Sequence, residues 1–145
     1  MNIEEAQRIA KRHEDVYNHD FEHYADLYDE SFVGYRPGRG TTGGREEMIQ
    51  LERRATAACP DRRTTVLRAF AGEGNCLTVE EIWEGTNTGG DRLFGEPGAK
   101  VSIYAMSLFE VRDGKFLGQA ADSAQPRSAG TPRQPHAGGA VAGGS

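Results

Sequence analysis

From Thr64 to Ala121 the chain reads as strands and turns: TTVLRAFA (64–71), NCLTVEEIWE (75–84), VSIYAMSLFEV (101–111) and the run Lys115–Ala121. The breaks between them are Gly72-Glu73-Gly74, a long glycine-rich segment, and Arg112-Asp113-Gly114. An Asp-Gly pair between two apolar runs is a strong hairpin signal. A four-strand meander has an apolar face to bury, so another part of the chain must cover it.

The cover lies upstream of Pro60. Ile3, Ala6, Ile9, Ala10, Val16 and Tyr17 approximate helical spacing, and Asn18–Asp20 breaks the run. A second short helix fits Asp20–Tyr28, with Asp20 as N-cap and Phe21, Tyr24, Leu27 and Tyr28 on one side. Ser31–Tyr35 is strand-like, and Arg36–Gly44 (RPGRGTTGG) reads as a loop. A third helix over Arg45–Ala58 buries Met48, Ile49, Leu51 and Ala55, and Pro60 closes it. The pattern predicts an α+β fold, with three N-terminal helices packed on one face of a curved antiparallel sheet.

Composition sets the boundaries. All twelve aromatic residues fall between Tyr17 and Phe116, whereas 124–145 holds three of the six prolines, five glycines and no aromatic. This predicts one folded domain over 1–123 and a disordered tail over 124–145, so the mean hydropathy of −0.66 averages two unlike parts. With 17 basic and 22 acidic residues the net charge is −5, and no basic patch suits a nucleic acid. No apolar run is long enough to span a membrane. The N-terminal MNIEEAQRIAKRHED has acids where an export signal needs a basic and then an apolar stretch. Cys59 and Cys76, without CxxC or paired-histidine spacing, suit a reduced cytoplasmic protein without a metal site.

The order of elements and four stretches, CPDRRTTV (59–66), EGTNTGG (84–90), FGEPGAKV (94–101) and LFEVRDGKF (108–116), resemble the SnoaL-like polyketide cyclases of the nuclear-transport-factor-2-like superfamily, over about 4–119. The resemblance implies a conical α+β barrel enclosing a pocket, chemistry without a cofactor, and a homodimer formed through the sheet face. The function it implies is closure of a ring in a hydrophobic, flexible polyketide substrate, by aldol, conjugate-addition or cycloaddition chemistry. Other functions of the same cone stay open: isomerase, dehydratase, epoxide hydrolase, or a ligand-binding protein without chemistry.

Strand parity names the candidate site residues. In Leu77–Glu84 the odd face is the more apolar and carries one carboxylate, Glu81. Buried there, Glu81 is a general acid or base; near the rim or beside an arginine it is structural. In Val101–Val111 both faces are largely apolar, one meeting the helices and pocket, with Ser107 and Phe109, and the other a second subunit. His13 shares a helix stripe with Ala6, Ile9 and Ala10, and by resemblance falls where related isomerases place an oxyanion-binding tyrosine. The alternative is an exposed histidine on a charged helix. Tyr35, alternating inward with Val33, occupies the position of those isomerases' aspartate; a phenol cannot serve as that base at neutral pH but can bind a carbonyl. With Tyr17, Tyr28, Trp83 and Phe109 it would form an aromatic wall, unless these simply pack the core.

The last strand departs from the family. Where the aldol cyclases carry a general-base aspartate, this chain has Ala121, with Asp122 one residue late and Gln119 upstream. A bulge near Gly118 would restore Asp122; without it an enolate-forming aldol closure lacks its base. Finally, Gly85–Lys100 is longer than a hairpin needs. It is expected to be either a mobile flap over the pocket, tipped by Leu93 and Phe94, or disordered.

Overall fold

The computed structural model describes residues 1–36 and 40–123, of which the side chains of 36, 40–42, 122 and 123 stay outside the description. The tail expected over 124–145 lies outside the described residues. Helix α1 runs Ile3–His19; Asn2 caps it, its side chain accepting from the Glu5 N–H, and Glu4 and Glu5 sit in the positive first turn. Ala6, Ile9, Ala10, His13 and Tyr17 are its buried stripe. The short helix expected there is a 3₁₀ helix, Phe21–Leu27, which buries Tyr24 and Leu27. Helix α2 runs Arg45–Ala58, with the Glu47 carboxylate accepting from the Gly44 N–H. Its apolar face differs from the expected one: Leu51 is exposed, and the next residue, Glu52, is partly buried and lines the cavity described below.

The six strands are β1 Tyr28–Arg36, β2 Gly40–Gly44, β3 Arg63–Ala71, β4 Cys76–Thr86, β5 Lys100–Arg112 and β6 Lys115–Ser123. They order as β2-β1-β6-β5-β4-β3 in one sheet. The β3-β4-β5-β6 meander is antiparallel as expected, and Asp113 (φ 53°) and Gly114 (φ 75°) make the two-residue turn that joins β5 to β6. Two features differ from a curved antiparallel sheet closed into a cone. Strand β1 enters beside the β5-β6 turn, with Tyr28 opposite Phe116, and so runs parallel to β6. The sheet is therefore mixed, and it stays open between edge strands β2 and β3. Strand β2 was expected as loop because its glycines carry no side-chain pattern; pairing with β1 makes it a strand.

The helices cover the face that carries Leu77, Val79, Phe109 and Val111, and these join Tyr17, Tyr24, Leu27, Tyr28, Phe32 and Phe116 in the main core. The opposite face shows Leu67, Phe70, Tyr104, Met106 and Leu108, each 41–45% exposed. Among the described residues no helix is long and apolar enough to cross a membrane.

Candidate active site

The helical layer and the sheet enclose a cavity of about 70 Å³ at the C-terminal end of α1. His13 and Tyr17 reach it from α1, Tyr24 from the 3₁₀ helix, Tyr28 from β1, and Glu81 and Trp83 from β4. Met48, Glu52, Thr64 and Gln119 complete the wall. Its volume holds a few water molecules and is far below the roughly 300 Å³ or more of a drug-sized ligand site.

Alternation in β4 puts Glu81 inward, as the sequence predicted: Leu77 pairs with Phe109, Val79 with Ser107, and Glu81 with Ala105. The Glu81 side chain is 15% exposed. Burial raises its pKa from 4.5 to about 7, against the opposing hydrogen bond from the Thr64 hydroxyl at 3.2 Å. His13, 4% exposed, sits with Nδ1 3.8 Å from Glu81 Oε2. Burial lowers its pKa to about 4, so it is neutral at pH 7 and the two groups are not an ion pair. Its Nε2 lies 3.0 Å from the Tyr24 hydroxyl, which lies 2.7 Å from that of Tyr28. Nδ1 has no hydrogen-bond partner and faces Glu81. With the ring proton on Nε2, Nδ1 is an acceptor that suits a protonated Glu81. With the proton on Nδ1, it suits the carboxylate, and Tyr24 can donate to Nε2. Either charge on Glu81 therefore has a matching neutral histidine, through a hydroxyl chain that can reverse.

A second chain closes the mouth. Trp83 Nε1 donates to the Tyr17 hydroxyl at 2.7 Å, and Tyr17 donates to Glu52 Oε2 at 3.0 Å. Burial pushes the phenols of Tyr17, Tyr24 and Tyr28 well up, so all three remain donors at neutral pH. Asn18 fixes the edge strand beside Glu81: its amide donates to the Thr64 carbonyl and accepts from the Thr64 N–H, both at 2.8 Å. Asn18→Ala removes both partners from β3, and a loss of about 2 kcal/mol in a urea melt is expected.

The other candidates fall as follows. Gln119 donates to the buried Ser107 hydroxyl at 3.2 Å, so Ser107 stands behind Gln119 rather than on the cavity. Phe109 stacks on Phe116 with centroids 4.2 Å apart, as core behind His13. Tyr35 is 48% exposed and shares its face with Val33, opposite the face that buries Phe32. This corrects the inward reading: alternation holds from Phe32 to Tyr35, but large apolar residues stand on both faces, and Phe32 rather than Val33 and Tyr35 takes the core side. A bulge does occur near Gly118, since Val111 pairs with Phe116 and Glu110 with Gly118, skipping Leu117, but it does not restore Asp122 as expected, because it sets Gln119 and Ala121 in register with the inward Phe109 and Ser107. Downstream of it Ala121 pairs with Ser107 and Asp122 with Met106; the Asp122 side chain is outside the described residues. Phe94 is neither a flap tip nor disordered. It is 8% exposed in a second core with Ala55, Ala58 and Cys59, its ring 6.1 Å from that of Trp83. Leu93 beside it is exposed.

Tyr24, Met48, Glu52 and Thr64 line the cavity without having been candidates. Tyr24 and Met48 were already visible as inward helix positions, and Glu52 carried a signal in its spacing of three from Ile49. A larger hollow, about 140 Å³, lies between the N-terminal turns of α1 and the 113–114 turn; its charged residues Glu5, Arg8, Arg12 and Asp113 are all exposed, whereas the inner cavity is walled by buried polar groups. Among the described residues only Asp20, Glu22 and His23 bring three metal-ligating atoms together, and none lines the cavity.

Comparison with known proteins agrees with this geometry. Solved structures of the same fold include AclR from Streptomyces galilaeus (17% identity, 85% of this chain and 91% of that one, TM-score 0.73). IdmH from Streptomyces antibioticus aligns at 21% identity, over 81% and 91%, with a TM-score of 0.67. TsrD from Streptomyces laurentii aligns at 20% identity, over 85% and 90%, with a TM-score of 0.66. No curated protein matches the chain. The family model of the SnoaL-like domain matches residues 10–118, which is most of the described fold and all of the cavity wall but Gln119. On that match the chain belongs to the SnoaL-like domain family.

Proposed function

We propose that this chain is a cofactor-independent cyclase of polyketide biosynthesis, which closes a ring within one flexible substrate. The observation that carries the reading is Glu81, an inward carboxyl with its pKa near 7 beside a neutral, buried His13. Packing alone does not require that pair, and it suits proton transfer at neutral pH. AclR is provisionally described as a hydroxylase and IdmH as a polyketide cyclase, so the second supports the substrate class.

Glu81 takes the proton from the attacking hydroxyl or activated carbon, the new bond forms at the far end of a conjugated carbonyl, and the same proton returns to the carbon beside that carbonyl. Tyr28 and Tyr24 donate to the carbonyl oxygen as charge develops there, and Trp83 and Tyr17 hold the chain folded. Atoms balance, with product isomeric to substrate. By resemblance Ala121 takes the place of the aldol cyclases' base, and its pairing with the inward Ser107 supports conjugate addition or cycloaddition over an enolate-forming aldol closure. The apolar outer sheet face, with Tyr104, Met106 and Leu108, suits a second copy of the chain.

The small cavity favours a second reading: an isomerase, dehydratase or epoxide hydrolase for a small substrate, or a binding protein without chemistry. A cyclase must admit the reacting end to the cavity and leave the rest of the substrate at the mouth. Incubation with a linear, partly reduced polyketide precursor that carries an α,β-unsaturated carbonyl, followed by mass spectrometry, decides between them. The expected product is cyclic, with the mass of the substrate or one water less, formed at least about 100-fold faster than without protein. Binding without conversion would support the binding protein, and conversion of small carbonyl compounds or epoxides alone would support the second enzyme class.

A further inference from the structure

Arg62 follows the turn after α2, where its N–H donates to the Cys59 carbonyl at 2.9 Å. The side chain extends over the end of α1, its guanidinium carbon 5.7 Å from the ring centroid of Tyr17 and 5.2 Å from that of Phe21. Among the described residues it makes no ion pair and no side-chain hydrogen bond, and its Nε is buried without a partner. Arg12, Arg53 and Arg63 also lack partners among the described residues, but they are exposed, whereas Arg62 is partly buried. Nearby carboxylates are turned elsewhere: Asp61 accepts from the Thr86 N–H and hydroxyl, and Glu52 accepts from Tyr17.

A chain with 22 acids and 17 bases has carboxylates to spare, yet leaves this guanidinium against two rings with its Nε buried and unpartnered. Cation–π attraction offsets part of that cost, but the unpaired N–H groups keep their demand for an acceptor. The Tyr17 ring that carries the guanidinium also walls the cavity, so the cation stands one ring away from it, outside its lining. We propose that Arg62 is a specificity residue that receives a carboxylate on the unreacting end of the substrate, so that the site takes anionic acyl chains in preference to neutral ones. The terminal nitrogens of a guanidinium match a carboxylate in two parallel hydrogen bonds. With the carboxylate on Arg62, the carbonyl end of the chain is directed toward Glu81. The proposal rests on the cavity being the ligand site of the proposed function.

Octanoate and octanamide, two flexible chains of equal length that differ in headgroup charge, test it at pH 8 by titration calorimetry. Trp83, the single tryptophan of the chain, gives a parallel fluorescence signal from the cavity wall. The expected result is octanoate binding to the unmodified protein about tenfold or more tightly than octanamide. Arg62→Gln should bring the two to within about twofold by weakening octanoate alone, and Arg62→Lys, which keeps the charge without the planar fork, should retain only part of the preference. Octanamide binding without any preference for octanoate, or a preference unchanged in Arg62→Gln, overturns the role of Arg62 and leaves the site reading intact. Failure of both probes to bind the unmodified protein at millimolar concentration overturns the site reading and this proposal together. The preference of the unmodified protein stands as a test even if Arg62→Gln fails to fold.

Discussion

Glu81→Gln is expected to lower turnover of the linear precursor by about 10²–10⁴-fold while making the protein more stable at pH 8. The amide keeps the size of the side chain and can still accept from the Thr64 hydroxyl, so packing is retained, but it can no longer take or give a proton. The gain in stability follows from proton linkage. A carboxyl raised from 4.5 to about 7 holds its proton more tightly in the folded state, so its contribution to stability is lost as pH rises from about 4.5 to 7. His13, lowered from 6.5 to about 4, works the other way and adds stability as pH rises over that interval. The two nearly offset one another between pH 4.5 and 6.5. Above pH 7 the cost of the buried carboxylate stands alone, at about 2–3 kcal/mol. The variant should therefore melt roughly 5 °C or more above the parent at pH 8. Its stability should rise from pH 4 to 6.5, where the parent's is nearly flat. Opposite signs in activity and stability mark a group kept for chemistry. Unchanged turnover in Glu81→Gln would remove Glu81 from the mechanism, and a lower melting temperature would show that the carboxylate is structural.

What could be read from the sequence depended on whether one local rule governed each segment. The stripe of α1 placed His13 inward, because about three turns of one regular helix keep their phase from Ala6 to Tyr17. Alternation in β4 placed Glu81 inward for the same reason, since its pairing with β5 has no break from Cys76 to Thr86. Phase is lost where pairing is irregular. In β6 the bulge at Leu117 decided that Ala121 lies opposite Ser107, whereas in β1 alternation holds but Phe32 on one face and Val33 and Tyr35 on the other are all apolar, so the pattern alone left the phase open. No single-strand pattern encodes that bulge, because it depends on the neighbouring strand. Glu52 is different again: a carboxylate turned toward the core breaks the rule that apolar residues mark the buried face, and its reason lies in Tyr17, thirty-five residues away. The parallel entry of β1 and the open edges of the sheet likewise arise from the order in which strands meet, which the elements alone leave undetermined.

The long segment between β4 and β5 gives the second large effect. Phe94→Ala is expected to cost about 3 kcal/mol, lowering the melting temperature by roughly 10 °C. The segment is built to deliver that ring. Asn87, fully buried, donates through its side-chain amide to the carbonyls of Asp91 and Gly95, and Arg54 on α2 pairs with both carboxylate oxygens of Asp91. Small residues on the partner surface leave the slot: Ala55, Ala58 and Cys59 line it, and a Cβ on Gly89 would stand 2.5 Å from the Ala57 carbonyl oxygen. A ring held this way belongs to the core, so its loss leaves a cavity rather than a shortened tip. The effect also reaches the mouth of the site, because Phe94 backs Trp83, which donates to Tyr17. Trp83 emission should shift to the red as the indole gains water, and turnover should fall together with stability. A flap that opens and closes over the mouth would give the reverse, with reduced turnover at an unchanged melting temperature. That result would remove the second core from the account and return the segment to a gating role; the hydrogen bonds of Asn87 and Asp91 argue for the first outcome, since they fix the backbone on both sides of Phe94 before any ligand arrives.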